Sequence, residues 1–472
     1  MSKLSVRSGV SLLALFAASV LAAPAQTFTR LQFFNGANGA NPYVGLTQGR
    51  DGSLYGTTID GGAYGSGNVF KITASGKLTS LYDFCAQSNC PDGQYPDTVL
   101  ALGTDGNFYG TTQNGGTNGG YGTVFKITPG GALTTLHSFD EADGVAPYGG
   151  LVLAINGDFY GTTNVGGAFG GGNVFKITPG GTLTTLYSFC SQGGCADGQY
   201  PVGPLVQGSD GNIYGTTHAG GNNSCTPDGC GTVYQITLSG NLTTLHSFDA
   251  TDGDYPYGGV AEGPKGTFYG TTGGGGANDA GTVFGMTASG KLVTAHSFDV
   301  SDGATPYALM LGSDGNFYGT TSAGGNNSNG KNHGTIFEIT PTGAFSTLHS
   351  FGGNDGALVY GGLVQGTNGL FYGTTYFGGR DDDGVVFSLN TGLGPFVTFV
   401  QAAGRVGQTG PILGQGFTGT TGVSFNGTPA SFTVVSDTFI KATVPAGATT
   451  GSVTVSTPSG TLTSNVPFHV IP

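Results

Sequence analysis

Hydrophobic residues along most of this 472-residue chain occur in short runs of period two, separated by glycine-rich segments such as Asp-Gly and Pro-Gly-Gly. Alternation of this kind predicts β-strands, and the glycine-rich separators predict hairpin turns. Residues 146–189 show the pattern in full and leave almost no room for a helix. In this stretch we predict four strands, at residues 150–153, 158–163, 173–178 and 183–189.

A Tyr-Gly-Thr-Thr tetrapeptide recurs along the chain at intervals of 49 to 55 residues. Its seven copies begin at Tyr55, Tyr109, Tyr160, Tyr214, Tyr269, Tyr318 and Tyr372. Four antiparallel strands in a unit of this length match one blade of a radial β-repeat, in which about four to eight blades form a ring. We therefore predict an all-β fold whose main part is a seven-bladed β-propeller.

The final unit lacks the fourth strand that the other units carry. It ends near Leu389, whereas residues 28–34 have the sequence pattern of a fourth strand and precede the first tetrapeptide. We predict that this N-terminal strand pairs with the last unit and closes the ring, because closure leaves no exposed sheet edge.

The chain contains 93 glycines and carries a formal net charge of −13 with a pI near 4.6. The negative charge argues against a nucleic-acid partner, whose phosphates would be repelled. Residues 1–25 have a basic start, an apolar run and Ala23-Pro24-Ala25, which together predict a signal peptide cleaved after Ala25. We expect a monomer without a membrane span that is secreted or held at the cell surface or in the periplasm.

Six cysteines form three pairs with the same spacing. They are Cys85 with Cys90, Cys190 with Cys195, and Cys225 with Cys230. In an exported chain this spacing predicts three local disulfides. A zinc site would need four ligands from one neighbourhood, and the pairs lie in different units without matching histidines.

In a blade with strands A to D, the A–B and C–D connections emerge on one side and the B–C and D–A connections on the other. The first kind are tight here, whereas the second are long and variable. We call these two sides the turn side and the loop side. Because variable loops on a rigid scaffold usually carry binding residues, we expect any ligand on the loop side.

Acidic pairs recur in the D–A loops, with the second aspartate followed by glycine. They are Asp140 with Asp143, Asp249 with Asp252, and Asp299 with Asp302. Such oxygen ligands could hold calcium, but each aspartate could equally cap its turn through backbone amides, and the full calcium-loop signature is absent. We favour turn capping and expect no cofactor other than this calcium alternative.

Tyrosines stand just before strand A in five units, near the expected mouth of the channel. They are Tyr43, Tyr148, Tyr257, Tyr307 and Tyr360. Their rings and hydroxyls could stack on sugars or a peptide, although recurrence in most units favours a structural role. His218 and Arg380 break the repeat on the loop side and are the candidates for a role that occurs once. The recurring histidines of strand D, the outer strand, are predicted to have a cross-strand role on the surface and no part in catalysis.

The repeat ends near residue 391, and β-branched and polar residues alternate in residues 392–472. This pattern predicts a small immunoglobulin-like β-sandwich. The segments Gly414-Gln415-Gly416-Phe417 and Val423-Ser424-Phe425-Asn426-Gly427 resemble an IPT/TIG domain. We therefore divide the chain into a signal peptide (1–25), a propeller (26–391) and an IPT/TIG-like domain (392–472).

The repeat resembles the GloVer tandem repeat of exported bacterial proteins. The resemblance rests on Asp105-Gly106-Asn107-Phe108-Tyr109-Gly110-Thr111-Thr112 and Gly122-Thr123-Val124-Phe125-Lys126-Ile127-Thr128. It implies export but no assigned activity. We find no catalytic motif, so our leading hypothesis is a secreted, non-catalytic binding or adhesion scaffold that engages an extracellular glycan or protein through the loop side. The alternatives are a polysaccharide lyase or glycoside hydrolase, and an envelope structural protein.

Overall fold

The computed structural model describes residues 26–221, 225, 228–326 and 333–471. The predicted signal peptide lies outside these residues. The fold is all-β, as the sequence predicts, and its helical content in the described residues is confined to two short 3₁₀ turns, Gly193–Cys195 and Pro264–Gly266. None of the described helices is long and apolar enough to cross a bilayer.

Residues 27–390 form seven four-stranded antiparallel sheets in the described part of the chain, numbered here in chain order. Strands A to D are, in sheet 1, Thr47–Gln48, Leu54–Thr58, Asn68–Ile72 and Leu78–Asp83; in sheet 2, Ala101–Leu102, Phe108–Thr112, Thr123–Ile127 and Leu133–Ser138; in sheet 3, Leu151–Leu153, Phe159–Thr163, Asn173–Ile177 and Leu183–Ser188; in sheet 4, Val206–Gln207, Ile213–Thr217, Thr232–Ile236 and Leu242–Ser247; in sheet 5, Val260–Glu262, Thr267–Thr272, Thr282–Thr287 and Leu292–Ser297; and in sheet 6, Ala304–Leu311, Phe317–Ala323, Thr335–Ile339 and Phe345–Ser350.

Sheet 7 takes its strand D from the N-terminus. Strands A to C are Val364–Gln365, Phe371–Thr375 and Val385–Asn390, and the fourth strand is Thr27–Phe33. Phe28 faces Leu389 and Phe33 faces Val385 in the antiparallel register. The chain therefore closes sheet 7 with the N-terminal strand that the sequence offset predicts.

Strand B explains the recurring tetrapeptide. Its tyrosine is buried in six of the seven sheets, and in five sheets its ring packs on the first phenylalanine of strand B in the next sheet, as Tyr109 does on Phe159 with ring centroids 4.1 Å apart. The hydroxyl of Tyr109 donates to Asp105 Oδ2 of the A–B turn at 2.9 Å. Gly110 follows because a Cβ there would lie 2.6 Å from Cζ of Phe125, too close for any side chain.

Hydrophobic clusters join each sheet to the next one along the chain. Tyr109, Val124 and Phe139 of sheet 2, for example, share a core with Phe159 and Phe175 of sheet 3. The same kind of cluster joins sheet 7 to sheet 1, through Phe34, Leu46, Leu54, Phe70, Ile72, Tyr372 and Val386. Apolar packing between neighbours therefore continues from the last sheet back to the first.

The residues after the repeats form two further four-stranded antiparallel sheets around a core of their own and a short parallel pair. Their strands are Thr398–Phe399, Ala403–Arg405, Thr409–Leu413, Gly422–Phe425, Thr428–Pro429, Phe432–Ser436, Phe439–Thr443, Val453–Thr457, Gly460–Thr463 and His469–Ile471.

This C-terminal part contacts the turn side of the repeats. The Arg50 guanidinium lies 4.8 Å from the ring centre of Phe439, and Thr438 Oγ1 donates to the Arg50 carbonyl at 2.7 Å. At a second contact, with sheet 3, Gln401 Nε2 donates to the carbonyl of Ala154 at 2.8 Å. Arg50 precedes the A–B turn of sheet 1 and Ala154 that of sheet 3, so these contacts lie opposite the long loops.

Candidate functional site

A cavity of about 650 Å³ lies where the seven sheets meet. Each sheet contributes residues that precede its strand A or lie within it, which is why the cavity occupies the centre of the molecule. All five tyrosines singled out from the sequence line it, namely Tyr43, Tyr148, Tyr257, Tyr307 and Tyr360, and Tyr376 joins them. The structure thus brings these tyrosines together at one place.

Most of the cavity tyrosines contact one another. The Tyr43 ring stacks on Tyr360 with centroids 4.7 Å apart, and Tyr257 stacks on Tyr307 at 5.2 Å. The hydroxyls of Tyr43 and Tyr307 lie 3.3 Å apart and link the two stacks. Tyr376 meets Tyr43 edge to face at 5.8 Å. Four sheets therefore build one continuous aromatic wall.

The tyrosine hydroxyls stay protonated at ordinary pH. Burial, together with the neighbouring hydroxyl of Tyr307, raises the pKa of Tyr43 far above its usual value. Burial also raises the pKa of Tyr307 to about 12. The wall therefore offers aromatic faces and neutral hydroxyls, which can donate or accept hydrogen bonds but bring no charge.

Among the described residues, Asp97 is the one acidic residue that lines the cavity. It follows Pro96, so it occupies the register that Tyr148 holds after Pro147 in the next sheet. Its side chain is buried, with the residue only 5% exposed, and Oδ1 has no hydrogen-bonding partner among the described residues. Burial raises the pKa of Asp97 well above that of an exposed aspartate. The sequence analysis missed this residue, although its departure from the tyrosine register was the available signal.

His218 packs against Tyr257 of the tyrosine wall and is not itself among the residues that line the cavity. Its imidazole stacks on Tyr255 and on Tyr257, with centroids 4.7 Å apart in both pairs. Nδ1 is buried without a hydrogen-bonding partner in the described part of the chain. Burial lowers the pKa of His218, so the ring is neutral near pH 7 and acts as an aromatic packing surface.

Arg380, the second residue proposed for a role that occurs once, lies elsewhere. Its side chain is 75% exposed and forms an ion pair with its neighbour Asp381, the closest N···O distance being 3.1 Å. It does not line the cavity. A paired action of His218 and Arg380 on one substrate therefore has no geometric basis in the described residues.

The acidic pairs of the D–A loops cap turns. Asp140 Oδ1 accepts from the amides of Ala142 and Asp143 at 2.9 Å, and Asp143 Oδ1 accepts from the amide of Asp140 at 2.8 Å. Asp249 with Asp252 and Asp299 with Asp302 form the same network. Backbone amides thus engage Oδ1 of each of these carboxylates, as turn capping requires.

The second aspartate of each pair also binds the histidine of strand D. His137 Nε2 lies 2.7 Å from Asp143 Oδ2. The same bond joins His246 to Asp252, His296 to Asp302 and His349 to Asp355, at 2.8 to 2.9 Å. These histidines are half-buried and tie strand D to the following loop, whereas the sequence analysis assigned them to the surface.

All three predicted disulfides are present, Cys85–Cys90, Cys190–Cys195 and Cys225–Cys230. In sheets 1 and 3, where strand D is followed by a disulfide loop, tyrosine replaces the histidine, and Tyr82 and Tyr187 donate to Asp92 and Asp197 at 2.8 Å. Burial raises the pKa of Asp254, which lies beside Cys225 and Cys230, to about 6.

Solved structures similar to this one include two with a TM-score above 0.5. A streptogramin B lyase matches at a TM-score of 0.54 and 18% identity, covering 77% of this chain and 97% of its own. A fungal alcohol oxidase of the AA5 family, in complex with copper, matches at 0.53 and 13% identity, covering 94% and 99%. At these identities the similarity concerns the fold alone, which is all-β and propeller-like.

The family model of the Gloeobacter/Verrucomicrobia repeat matches residues 19–227 and 225–434. The chain therefore belongs to this repeat family, as the Tyr-Gly-Thr-Thr pattern indicates. No curated protein matches the chain.

Proposed function

We propose that this protein is an exported binding protein whose ligand enters the central cavity from the loop side. The tyrosine-lined cavity carries the proposal, because residues from all seven sheets line it and six tyrosines contribute to its wall. The three disulfides support export, since such bonds persist in oxidising compartments. An envelope structural protein would not need a pocket of this kind.

The scaffold that presents this site is a closed seven-bladed propeller (26–391) followed by an immunoglobulin-like domain of the IPT/TIG type (392–472). The strand pairing between Thr27–Phe33 and Val385–Asn390 supports closure, as does the core shared by sheets 7 and 1. The two packed sheets after the repeats support the second domain. That domain contacts the turn side, so it does not cover the long loops of the proposed binding face.

An extracellular glycan is the ligand class that we favour over a protein. Aromatic side chains on the loop side present the flat apolar faces on which sugar rings stack. The exposed ones in the described residues are Tyr64, Phe169, Tyr255 and Phe377, which are 37% to 58% exposed. The cavity behind them is concave and carries neutral hydroxyls, which suits a terminal sugar or a similar small group.

No resident metal is part of this proposal. Among the described residues, the only cluster of three His, Cys, Asp or Glu side chains close enough to share an ion is Cys225, Cys230 and Asp254. The two sulfurs are joined in a disulfide, so they cannot act as thiolate ligands. The residues present therefore do not fit a copper centre like the one named for the fungal alcohol oxidase.

Catalysis in the same cavity is the second candidate. Asp97 favours it, because a carboxyl group whose pKa is raised by burial holds its proton to higher pH than an exposed one and can serve as a general acid. A lyase and an oxidase also share the propeller-like fold. A lyase or hydrolase of this kind would use Asp97 and not Arg380, which lies away from the cavity.

A glycan array with residues 26–472 tests the proposal. We expect saturable binding that Tyr148→Ala and Phe169→Ala weaken, because the first variant alters the cavity and the second alters a loop tip. Val293→Ala is the matched control, since Val293 is 62% exposed but lies on strand D of sheet 5. Release of a shortened or unsaturated glycan would favour the enzyme. Absence of binding to every glycan would count against this ligand class.

A further inference from the structure

The buried side chain of Asp97 lowers the stability of the folded protein, whereas the tyrosines at the equivalent positions of other sheets do not. Five of the other six sheets place tyrosine at the equivalent position, where the ring packs on other rings or on apolar groups. Asp97 replaces that packing with a carboxyl group whose Oδ1 is buried and finds no partner in the described residues. A buried polar group without a partner destabilises a protein, and such residues are frequent at binding sites.

The described residues supply no positive charge to Asp97 within the cavity. None of those that line it is lysine, arginine or histidine. Among the described residues, Asp97 contributes to the raised pKa values of Tyr43, Tyr148, Tyr307 and Tyr376, whose hydroxyls are all neutral. A compensating cation, if one is used, has to come with the ligand.

The wall around Asp97 suits an organic cation better than a metal ion. Tyrosine faces attract ammonium groups through the negative face of the ring, and aromatic cages that bind alkylated ammonium groups use this attraction. A calcium or magnesium ion would instead need several oxygen ligands, and the cavity offers one carboxylate. The volume of about 650 Å³ leaves room for a group of several heavy atoms.

We propose that the cavity binds a positively charged alkylammonium group of its ligand, with Asp97 as the counter-ion and the tyrosine wall as an aromatic cage. The inference rests on the proposed binding function and names the chemistry that the same site recognises. For a glycan ligand, it specifies a sugar or substituent that carries an amine or a quaternary ammonium group.

The pH dependence of binding follows from the state of Asp97 in the free protein. Because burial raises the pKa of Asp97, the free cavity holds the protonated acid over a wider pH range than usual. A cation favours the carboxylate, so its binding releases a proton and its affinity rises with pH until the free acid has ionised. A neutral ligand that accepts a hydrogen bond from the acid would show the opposite trend.

The test compares choline with its neutral isostere 3,3-dimethylbutan-1-ol, using isothermal titration calorimetry and residues 26–472. We expect choline to bind at least about tenfold more tightly than the alcohol, and more tightly at pH 8 than at pH 5. Asp97→Asn should abolish the preference. Asp254→Asn is the matched control, because Asp254 is also an aspartate with a raised pKa and an unpartnered Oδ1 but does not line the cavity.

Equal affinity for choline and the alcohol would overturn the inference, and so would a preference that survives in Asp97→Asn. Thermal unfolding of both variants establishes that they fold. If no choline binds while the glycan array is positive and depends on Tyr148, the cation proposal fails and the binding function stands. If neither experiment detects binding, the cation proposal fails and a glycan is rejected as the ligand class.

Discussion

The ring of Phe28 stacks on the imidazole of His349, with centroids 3.9 Å apart and ring planes within 3° of parallel. Phe28 belongs to the N-terminal strand and His349 to strand D of sheet 6. Phe345 stacks in the same way on His296 of sheet 5, at 3.9 Å and 6°. The N-terminal strand therefore makes the contact that an ordinary strand D makes with the sheet before it.

Loss of the N-terminal strand should open the ring. Deletion of residues 26–33 would expose the edge of Val385–Asn390 and remove the Phe28 contact, so we expect a much lower melting temperature and concentration-dependent self-association. Phe345→Ala is the control, because it removes the equivalent stack without exposing an edge, at a cost of about 2–3 kcal/mol. Equal melting temperatures for the two variants in thermal unfolding would contradict a closing role for the strand.

The repeat made the fold predictable because every unit uses the same local rules. The strands predicted in residues 146–189 lie within one residue of those observed in sheet 3. Period-two alternation and glycine at positive φ fix each strand and turn locally. The bonds between histidine and aspartate were missed, because they join a strand to a loop six residues later and neither residue is unusual on its own.

The site was only partly predictable for a related reason. Recurrence identified the tyrosines, since each sheet presents the same register to the centre. The candidates that depart from the repeat were predicted from the long loops. These loops contain the exposed Arg380, whereas Asp97 lies in the recurring tyrosine position. A residue that departs from the repeat at a recurring position is the more informative signal when the other copies of that position line the cavity, because the repeated fold places it there too.

Asp97→Asn should stabilise the protein at neutral pH. The pKa of Asp97 is raised in the folded protein, so protonation of this residue stabilises the folded state. That stabilisation is complete below the unfolded-state pKa of about 4 and is lost as pH rises through the folded-state pKa. The variant does not titrate, and its gain should therefore grow with pH to the order of 1–3 kcal/mol at pH 7. Denaturant unfolding at pH 4 and pH 7 measures this, with Glu141→Gln as an exposed control. A gain that does not change with pH would be inconsistent with a buried acid.

The opposite dependence is expected for Asp355. Burial acts to raise its pKa, but the hydrogen bonds from His349 and from the amide of Gly352 outweigh burial and hold the pKa below the usual value. The stabilisation is therefore present above about pH 4 and lost as pH falls through the folded value. Asp355→Asn should cost about 1 kcal/mol at pH 6 and less at pH 3. Asp381→Asn, which breaks the exposed pair with Arg380, should change stability little at either pH.

Calcium should not stabilise the protein beyond the effect of ionic strength. The carboxylates of the D–A loops already accept hydrogen bonds from backbone amides and histidines, so an ion would have to displace these donors. We expect the same melting temperature with calcium chloride and with sodium chloride of equal ionic strength, in the presence and absence of a chelator. A calcium-specific increase that Asp252→Ala removes would establish a calcium site and refute turn capping as the sole role.

The three disulfides should differ in what their removal costs. Each closes a loop with a sequence separation of 5, for which chain entropy alone gives about 2 kcal/mol. Cys230 is fully buried and packs in the core that contains Val233, Phe248 and Phe284, whereas Cys195 is only partly buried. The double variant Cys225→Ala/Cys230→Ala should therefore lose packing as well as the constraint and unfold at lower denaturant than Cys190→Ala/Cys195→Ala. Equal midpoints would mean that the buried sulfur adds nothing to the core and that loop closure is the whole contribution.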